Sequence, residues 1–296
     1  VTEANPGVAL SWASELYCDA VDAINRAGIC DSDDDALALF QTVWPDAHPF
    51  TAPPPHEVEG VRVFRELVQQ RCTGAPLAHL TGSVRFMGLE LEVEPGVFIP
   101  RERTTLDLAR HSIAVAAGFA AGLDRPVRVA EVGTGCGNLS VALLESLGDR
   151  ASMVATDISA IAIAVARRNL VRYHCADRAD LICTEVLEGV QGPFDMVIAN
   201  PPYLTRPETN ARWSELRSEP IEAINGNGDD GLDMARRVID AAQGKLDPAG
   251  VLLLELATSQ MHRAAAMAAR HFVEVDLVYN SSGIPRVLLA RKPLGT

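Results

Sequence analysis

Val127-Arg128-Val129-Ala130-Glu131-Val132-Gly133-Thr134-Gly135-Cys136-Gly137-Asn138 reads as a short apolar strand, an acid near its end, three glycines at alternate positions and the start of a helix. The apolar run is too short for a helix and is followed at once by residues that free the backbone. It therefore predicts a buried strand feeding a tight loop. Glycines there let the chain turn sharply and let a ligand lie against the backbone, where a Cβ would take up its room.

Working outward from this loop, helix and strand alternate. A helix is expected over 104–121, then the strand at 127–132, a helix over 138–146, a strand at 153–156 and a helix over 160–174. Strands at 181–183, 196–199 and 251–256 continue the series. Short apolar strands separated by helices predict a parallel sheet covered on both faces, an α/β doubly wound fold. The tail, 272–279 and 287–290 about Ser281-Ser282-Gly283, reads as two strands joined by a turn. In a doubly wound sheet the first and fourth strands are neighbours at the switch point, where ligands bind.

Toward the N-terminus the signals, from Ala9 to about Cys72, are helical. An amphipathic stretch covers 13–29, an acidic start Ser32-Asp33-Asp34-Asp35 precedes 36–43, and helix resumes from His56 to Arg71 after a segment with Pro45, Pro49, Pro53, Pro54 and Pro55. Between Gly74 and Pro100 the period changes toward two around Met87-Gly88, with a turn at Pro95-Gly96, as in a β-hairpin. The organisation expected is a helical domain at 1–73, a hairpin linker at 74–103 and a larger domain at 104–296.

The chain has 296 residues, 48% of them hydrophobic, and a formal net charge of -13. No apolar run approaches the roughly 20 residues that span a bilayer, and Val1-Thr2-Glu3 lacks a basic leader, so a cytoplasmic location is expected; the chain is separately expected to be a monomer. The six cysteines and the histidines show no metal-ligand spacing, so no metal is expected. The net negative charge disfavours a nucleic-acid partner, because a polyanion would be repelled. Basic residues are nearly all arginine, with lysine only at Lys245 and Lys292, a bias that composition alone explains.

A dinucleotide fingerprint would place a glycine where this chain has Asn138. The acid-x-Gly-x-Gly-x-Gly order instead suits S-adenosylmethionine. Glu131 is expected to accept from the cofactor's ammonium, and the backbone from Gly133 through Thr134, Gly135, Cys136 and Gly137 to face its methionine part. Asp157, ending the strand about 20 residues on, with Ile158 beside it, is placed to take both ribose hydroxyls. It is also in position to cap the next helix. Glu185 is expected to accept from the adenine amino group, although a solvated surface acid is an equal reading, and Val186 to pack on the ring.

After the fourth strand comes Asn200-Pro201-Pro202-Tyr203. Two prolines stiffen the turn and remove donors, so that its carbonyls are expected to point outward unpaired. A planar NH2 group offers two hydrogens and a delocalised lone pair. The Asn200 side-chain oxygen and the Pro201 carbonyl are expected to hold those hydrogens while Tyr203 packs on the flat group. The residues call for positioning and for no strong base. A planar nitrogen acceptor is implied, and the turn by itself does not separate a glutamine amide from an adenine amine.

Over about residues 75–292 the chain resembles the HemK/PrmC family of protein-(glutamine-N5) methyltransferases, which modify peptide chain release factors. Carrying the resemblance are Pro76-Leu77-Ala78-His79-Leu80-Thr81-Gly82, Phe98-Ile99-Pro100-Arg101, the glycine loop, Asp157, Asn200 to Tyr203, the run from Asn225 to Leu232 and the ending from Gly283 to Arg291. The resemblance implies a seven-stranded, Rossmann-like class I methyltransferase domain behind a small helical domain that docks the partner. It implies that Gly133, Gly135, Gly137, Asp157, Val186 and Asn200 contact S-adenosylmethionine. It also implies that Asn200 to Tyr203 hold the glutamine of a GGQ loop.

The chain departs from the family at three places. Pro100-Arg101-Glu102-Arg103-Thr104-Thr105 stands for the usual Pro-Arg-Pro-Glu-Thr-Glu, which displaces or removes an acid; His79 replaces a tyrosine; and Val186 sits where a bulkier residue is usual. The region before Gly74 matches only in general character. A divergent paralogue acting on a peptide or small-molecule amide or amine, an adenine N6-methyltransferase and a cofactor-binding protein without turnover stand as alternatives.

Overall fold

The computed structural model describes residues 11–52, 54, 57–212 and 216–295. Ala9 and His56, where helical signals are expected to begin and to resume, lie outside these residues. The chain divides into two units between Gly82 and Ser83. The helical turn Leu77–Thr81 thereby falls in the first unit and the hairpin in the second.

The first unit contains α1 (Trp12–Arg26), α2 (Ser32–Val43), α3 (Val58–Cys72) and α4 (Leu77–Thr81). Ser11 caps α1 by accepting from the Ser14 amide. Leu16, Tyr17, Ile24, Leu39, Phe40 and Phe64 are buried together around Trp44. Gly60 permits this packing, since a Cβ there would lie 2.7 Å from the Trp44 ring. Arg71 ties α3 to α2 through a 2.6 Å ion pair with Asp35. The period-two reading from Gly74 does not hold over α4: Pro76 precedes a helical turn that ends at Gly82, whose φ of 74° only glycine adopts freely.

The second unit opens with an antiparallel hairpin, β1 (Ser83–Phe86) and β2 (Leu89–Glu92). Its two-residue loop has Met87 at φ 51° and Gly88 at φ 79°, the primed-turn geometry that matches strand twist. Buried Asn169 receives the Glu92 amide at 2.7 Å and donates to the carbonyls of Glu92 and Cys136 at 2.9 and 2.8 Å. One side chain thus fastens the hairpin to the glycine loop.

There follow α5 (Glu102–Gly122), β3 (Val127–Val132), α6 (Asn138–Leu147), β4 (Ala151–Asp157), α7 (Ala160–Arg172), β5 (Ala179–Cys183), β6 (Phe194–Ala199) and α8 (Arg206–Ala211). The chain ends with α9 (Asp233–Gln243), β7 (Leu246–Glu255), α10 (Met261–Ala268), β8 (Phe272–Tyr279) and β9 (Pro285–Pro293). The seven strands lie in the order β5-β4-β3-β6-β7-β9-β8, with the last two antiparallel to their neighbours.

The central strand β6 is buried at every residue, the pattern of a parallel strand covered on both faces. β3 pairs with β6 from Val129 opposite Met196 to Val132 opposite Ala199. The first and fourth strands are thus neighbours, and the glycine loop and the Asn200 turn leave their carboxyl ends side by side. Helices α8, α9 and α10 have no counterpart among the elements expected from the sequence. Among the described residues, no helix is long and apolar enough to cross a membrane.

Candidate active site

Beyond the carboxyl ends of β3, β4 and β6 lies a cavity of about 410 Å³ within the second unit. Its walls include Glu131, Gly133, Thr134, Gly135, Asp157, Ile158, Glu185, Val186 and the whole turn from Asn200 to Tyr203. Cys136 and Gly137, expected at the cofactor, are not among its lining residues. Cys136 is buried and its thiol is pushed up to about 12 by burial, while its carbonyl serves Asn169. Gly137 is needed for packing, because its Cβ would stand 3.2 Å from that of Ala166.

The loop is fixed by the strand beside it. The amides of Gly133 and Thr134 both donate to the Thr156 carbonyl, at 2.8 and 2.9 Å. Gly133 and Gly135 adopt φ of 74° and 55°, and a Cβ at either would meet nothing within 4 Å. Their missing side chains therefore leave open space along the cavity wall. Asp157 receives the Gly135 amide on one oxygen and the Ser159 amide on the other, each at 2.9 Å. Burial raises its pKa, and these amides oppose the rise. Ser159, not Asp157, caps α7.

Glu131 is 1% exposed. Its Oε2 accepts from the hydroxyls of Thr134, at 3.0 Å, and Ser140, while Oε1 has no partner. Burial pushes the carboxyl up to about 7. Nearby Asn138, which the sequence reading treats only as a missing glycine, also lines the cavity and has an unpartnered Nδ2. An orphaned acceptor and an orphaned donor flank the glycine cradle. The ammonium and carboxylate of an amino-acid group fit this pair.

At the far side, Glu185 forms an ion pair with Arg237 that lowers its pKa, so its carboxylate is already engaged at the rim. Val186 is buried with φ 53°, an uncommon conformation for a β-branched residue. The Thr156 hydroxyl holds it there by donating to its carbonyl at 2.6 Å. Ile158, 60% exposed, supplies an apolar edge.

The Asn200 turn is stiff at both ends. Pro201 is buried, and Leu204 donates to the Ile224 carbonyl while accepting from Gly226, both at 3.0 Å. A Cβ on Gly226 would come within 2.8 Å of the Pro202 carbonyl, and one on Gly231 within 2.3 Å of the Tyr203 carbonyl. This explains the glycines of the 225–232 run. Gln260 donates to the carbonyls of Tyr203 and Asp230, each at 2.8 Å. Sequence leads one to expect the turn's carbonyls unpaired, but those of Tyr203 and Leu204 are taken, while Asn200 and Pro201 line the cavity. Burial raises the Tyr203 pKa, with Glu255 adding to the rise and Arg286, Arg101 and Arg212 opposing it.

Several lining residues carry no signal of their own in the sequence, among them Thr105, Leu139, Ala162 and Met234. Phe98 and Arg101 were visible only through the Phe98-Ile99-Pro100-Arg101 motif. Arg101 pairs with Glu219, whose side chain is 3% exposed and which also receives the Ile99 amide at 3.3 Å. Among the described residues no group of histidine, cysteine and acidic side chains is placed to hold a metal.

The Methyltransferase small domain family model matches residues 94–229. A release factor glutamine methyltransferase of Bradyrhizobium diazoefficiens is 32% identical over 249 residues, 80% of this chain and 78% of that protein. One from Moorella thermoacetica is 36% identical over 200 residues, 67% of each chain. Among solved structures, the hMettl16 catalytic domain in complex with an RNA hairpin aligns with TM-score 0.53 at 15% identity, covering 79% of this chain and 82% of that one. The T. thermophilus 16S rRNA N2 G1207 methyltransferase, solved with AdoMet and guanosine, aligns with TM-score 0.52 at 20% identity, covering 71% and 49%. At those identities the structures speak for the class I methyltransferase fold alone. The cofactor of such a domain is S-adenosylmethionine, and the chain belongs to the release factor glutamine methyltransferase family.

Proposed function

We propose that this protein methylates the side-chain amide nitrogen of a glutamine in a peptide chain release factor, the GGQ glutamine being the expected target. What supports the reading is that Asn200 and Pro201, which would offer the Asn200 Oδ1 and the Pro201 carbonyl as acceptors, line the same cavity as the glycine cradle.

S-adenosylmethionine supplies a methyl group made electrophilic by its sulfonium. In this reading Glu131 and Asn138 hold the ends of its amino-acid group, and Asp157 takes the ribose hydroxyls. Ile158 and Val186 cover the adenine, and Glu185, with its carboxylate on Arg237, sits at that rim. An amide NH2 gripped by two acceptors has its lone pair turned out of plane toward the methyl, and its poor nucleophilicity is offset by orientation. As the N–CH3 bond forms and the C–S bond breaks, S-adenosyl-L-homocysteine would leave as a neutral thioether and the methylated nitrogen would pass its extra proton to solvent water, so no strong base is required of the turn. Tyr203 stays neutral, because burial raises its pKa, and covers the flat amide.

Adenine N6 presents a similar NH2. The net charge of -13 argues against a polyanion as the partner. The same reading assigns the helical unit to docking the partner and places the protein in the cytoplasm, where release factors act. The test is incubation with labelled S-adenosylmethionine and a release factor, followed by mapping of the label. Label on the GGQ glutamine that is lost in Asn200→Ala, with folding retained, is expected. Label elsewhere, or none on any release factor tried, overturns the reading.

A further inference from the structure

We propose that Thr105 and Glu255 are positioning residues that set which way the Asn200 carboxamide faces, keeping its oxygen toward the acceptor nitrogen. This inference rests on the functional reading above for its kinetic arm only.

Asn200 Nδ2 donates to Thr105 Oγ1 at 3.3 Å. The Glu255 carboxylate, at the end of β7 and 1% exposed, lies close enough to Thr105 for that side chain to oppose the rise that burial causes in its pKa. The other groups facing Glu255 are Arg286 from β9, Asp107 from α5 and Tyr203 from the turn. Glu255 Oε2 has no hydrogen-bond partner. The three side chains come from different elements, α5, the turn after β6 and the end of β7. Thr105 closes the run in which the sequence departs from its family.

A threonine hydroxyl has one hydrogen. An ionised carboxylate only accepts, so it draws that hydrogen and leaves the Thr105 oxygen lone pairs for Asn200 Nδ2. The Asn200 oxygen then faces the cavity, ready for an amide hydrogen. A protonated Glu255 can donate instead, turning the Thr105 hydrogen toward Asn200. That favours the reversed carboxamide, whose NH2 would confront the NH2 of the substrate. Burial pushes Glu255 up to about 7, so both states lie within reach near neutrality.

Two measurements test this. In the first, kcat at saturating cofactor and release factor is followed against pH. Thr105→Val is expected to lower kcat about tenfold to a hundredfold with cofactor affinity unchanged, and Thr105→Ser to recover most of it. Glu255→Gln is expected to lose the acidic limb of the kcat profile. Glu131 titrates in the same range but would show in cofactor affinity. In the second, which needs no turnover, the side-chain NH2 resonances of Asn200 are assigned by their loss in Asn200→Asp and followed from pH 6 to 8. They should shift in the wild type and stay still in Thr105→Val. Static wild-type resonances, or an acidic limb that survives Glu255→Gln, overturn the proposal. A wild type that methylates no release factor while these resonances titrate overturns the functional reading and leaves the relay standing.

Discussion

The Gly135 amide donates to Asp157 Oδ2 at 2.9 Å, which ties the loop after β3 to the carboxylate that ends β4. The residue proposed to take the ribose is therefore also a strut of the loop proposed to take the methionine part. Asp157→Asn keeps the shape but removes the charge and one acceptor. It should weaken S-adenosylmethionine binding by about tenfold to a hundredfold, roughly 1.4–2.8 kcal/mol. Calorimetric titration gives the value, and an unchanged Kd would remove Asp157 from the cofactor site.

Glu131 makes both binding and stability depend on pH. Its carboxyl is held at about 7 in the folded chain against an ordinary 4.5, so the folded state binds the proton more tightly than the unfolded one. The stability this confers is full below about 4.5 and is lost as pH rises through about 7. Glu255, also pushed up to about 7, acts with the same sign. The cofactor's ammonium favours ionised Glu131, so binding should release a proton, and affinity should rise with pH between 5.5 and 7. Proton release is measured in buffers of different ionisation enthalpy. Binding without it, or a Glu131→Gln variant with the same pH dependence, would contradict this assignment.

Two of the three loop glycines, Gly135 and Gly137, should fail in different ways. Gly137→Ala puts a Cβ 3.2 Å from that of Ala166 at φ 82°, so it should cost about 1–3 kcal/mol of stability in urea unfolding. Gly135→Ala meets no protein atom within 4 Å, so its stability loss should be smaller, on the order of 1 kcal/mol from its φ of 55°. Its methyl would project into the cradle, so cofactor affinity should fall more than stability does. Equal behaviour of the two variants would be inconsistent with the cavity wall described.

Removing the Arg101 guanidinium strands a carboxylate. Glu219 is already raised in pKa by burial, and Arg101 opposes that rise. Arg101→Ala should raise it further and destabilise the segment before Ile224 by about 1–3 kcal/mol, the exposed arginine contributing less than a buried one. Arg101→Ala with Glu219→Gln should recover most of the loss in a double-mutant cycle. Additive losses would mean the pair does not couple.

The sequence alone determined the parallel core and the two runs that the fold brings to one cavity. Apolar runs such as Val127 to Val132 and Met196 to Ala199 are short, continuous and bounded by breakers, and these local properties survive into the fold. The glycine loop and the Asn-Pro-Pro-Tyr turn were legible because each is a contiguous run whose backbone chemistry is written in its own residues. Helix α9 was passed over beside the glycine-rich run at 225–232, and α4 was hidden in a stretch that reads with period two. What only the tertiary structure decided were groups that act from a distance in sequence. Gln260 holds the Tyr203 carbonyl, Asn169 pins the Cys136 carbonyl, and Thr105 stands between Asn200 and Glu255. The structure also places Cys136 and Gly137 in the packing behind the cavity, because Asn169 takes the Cys136 carbonyl and Gly137 lies against Ala166. A polar side chain's role depends on which orphan donor or acceptor the folded chain brings to it, and that pairing is not a property of any local pattern.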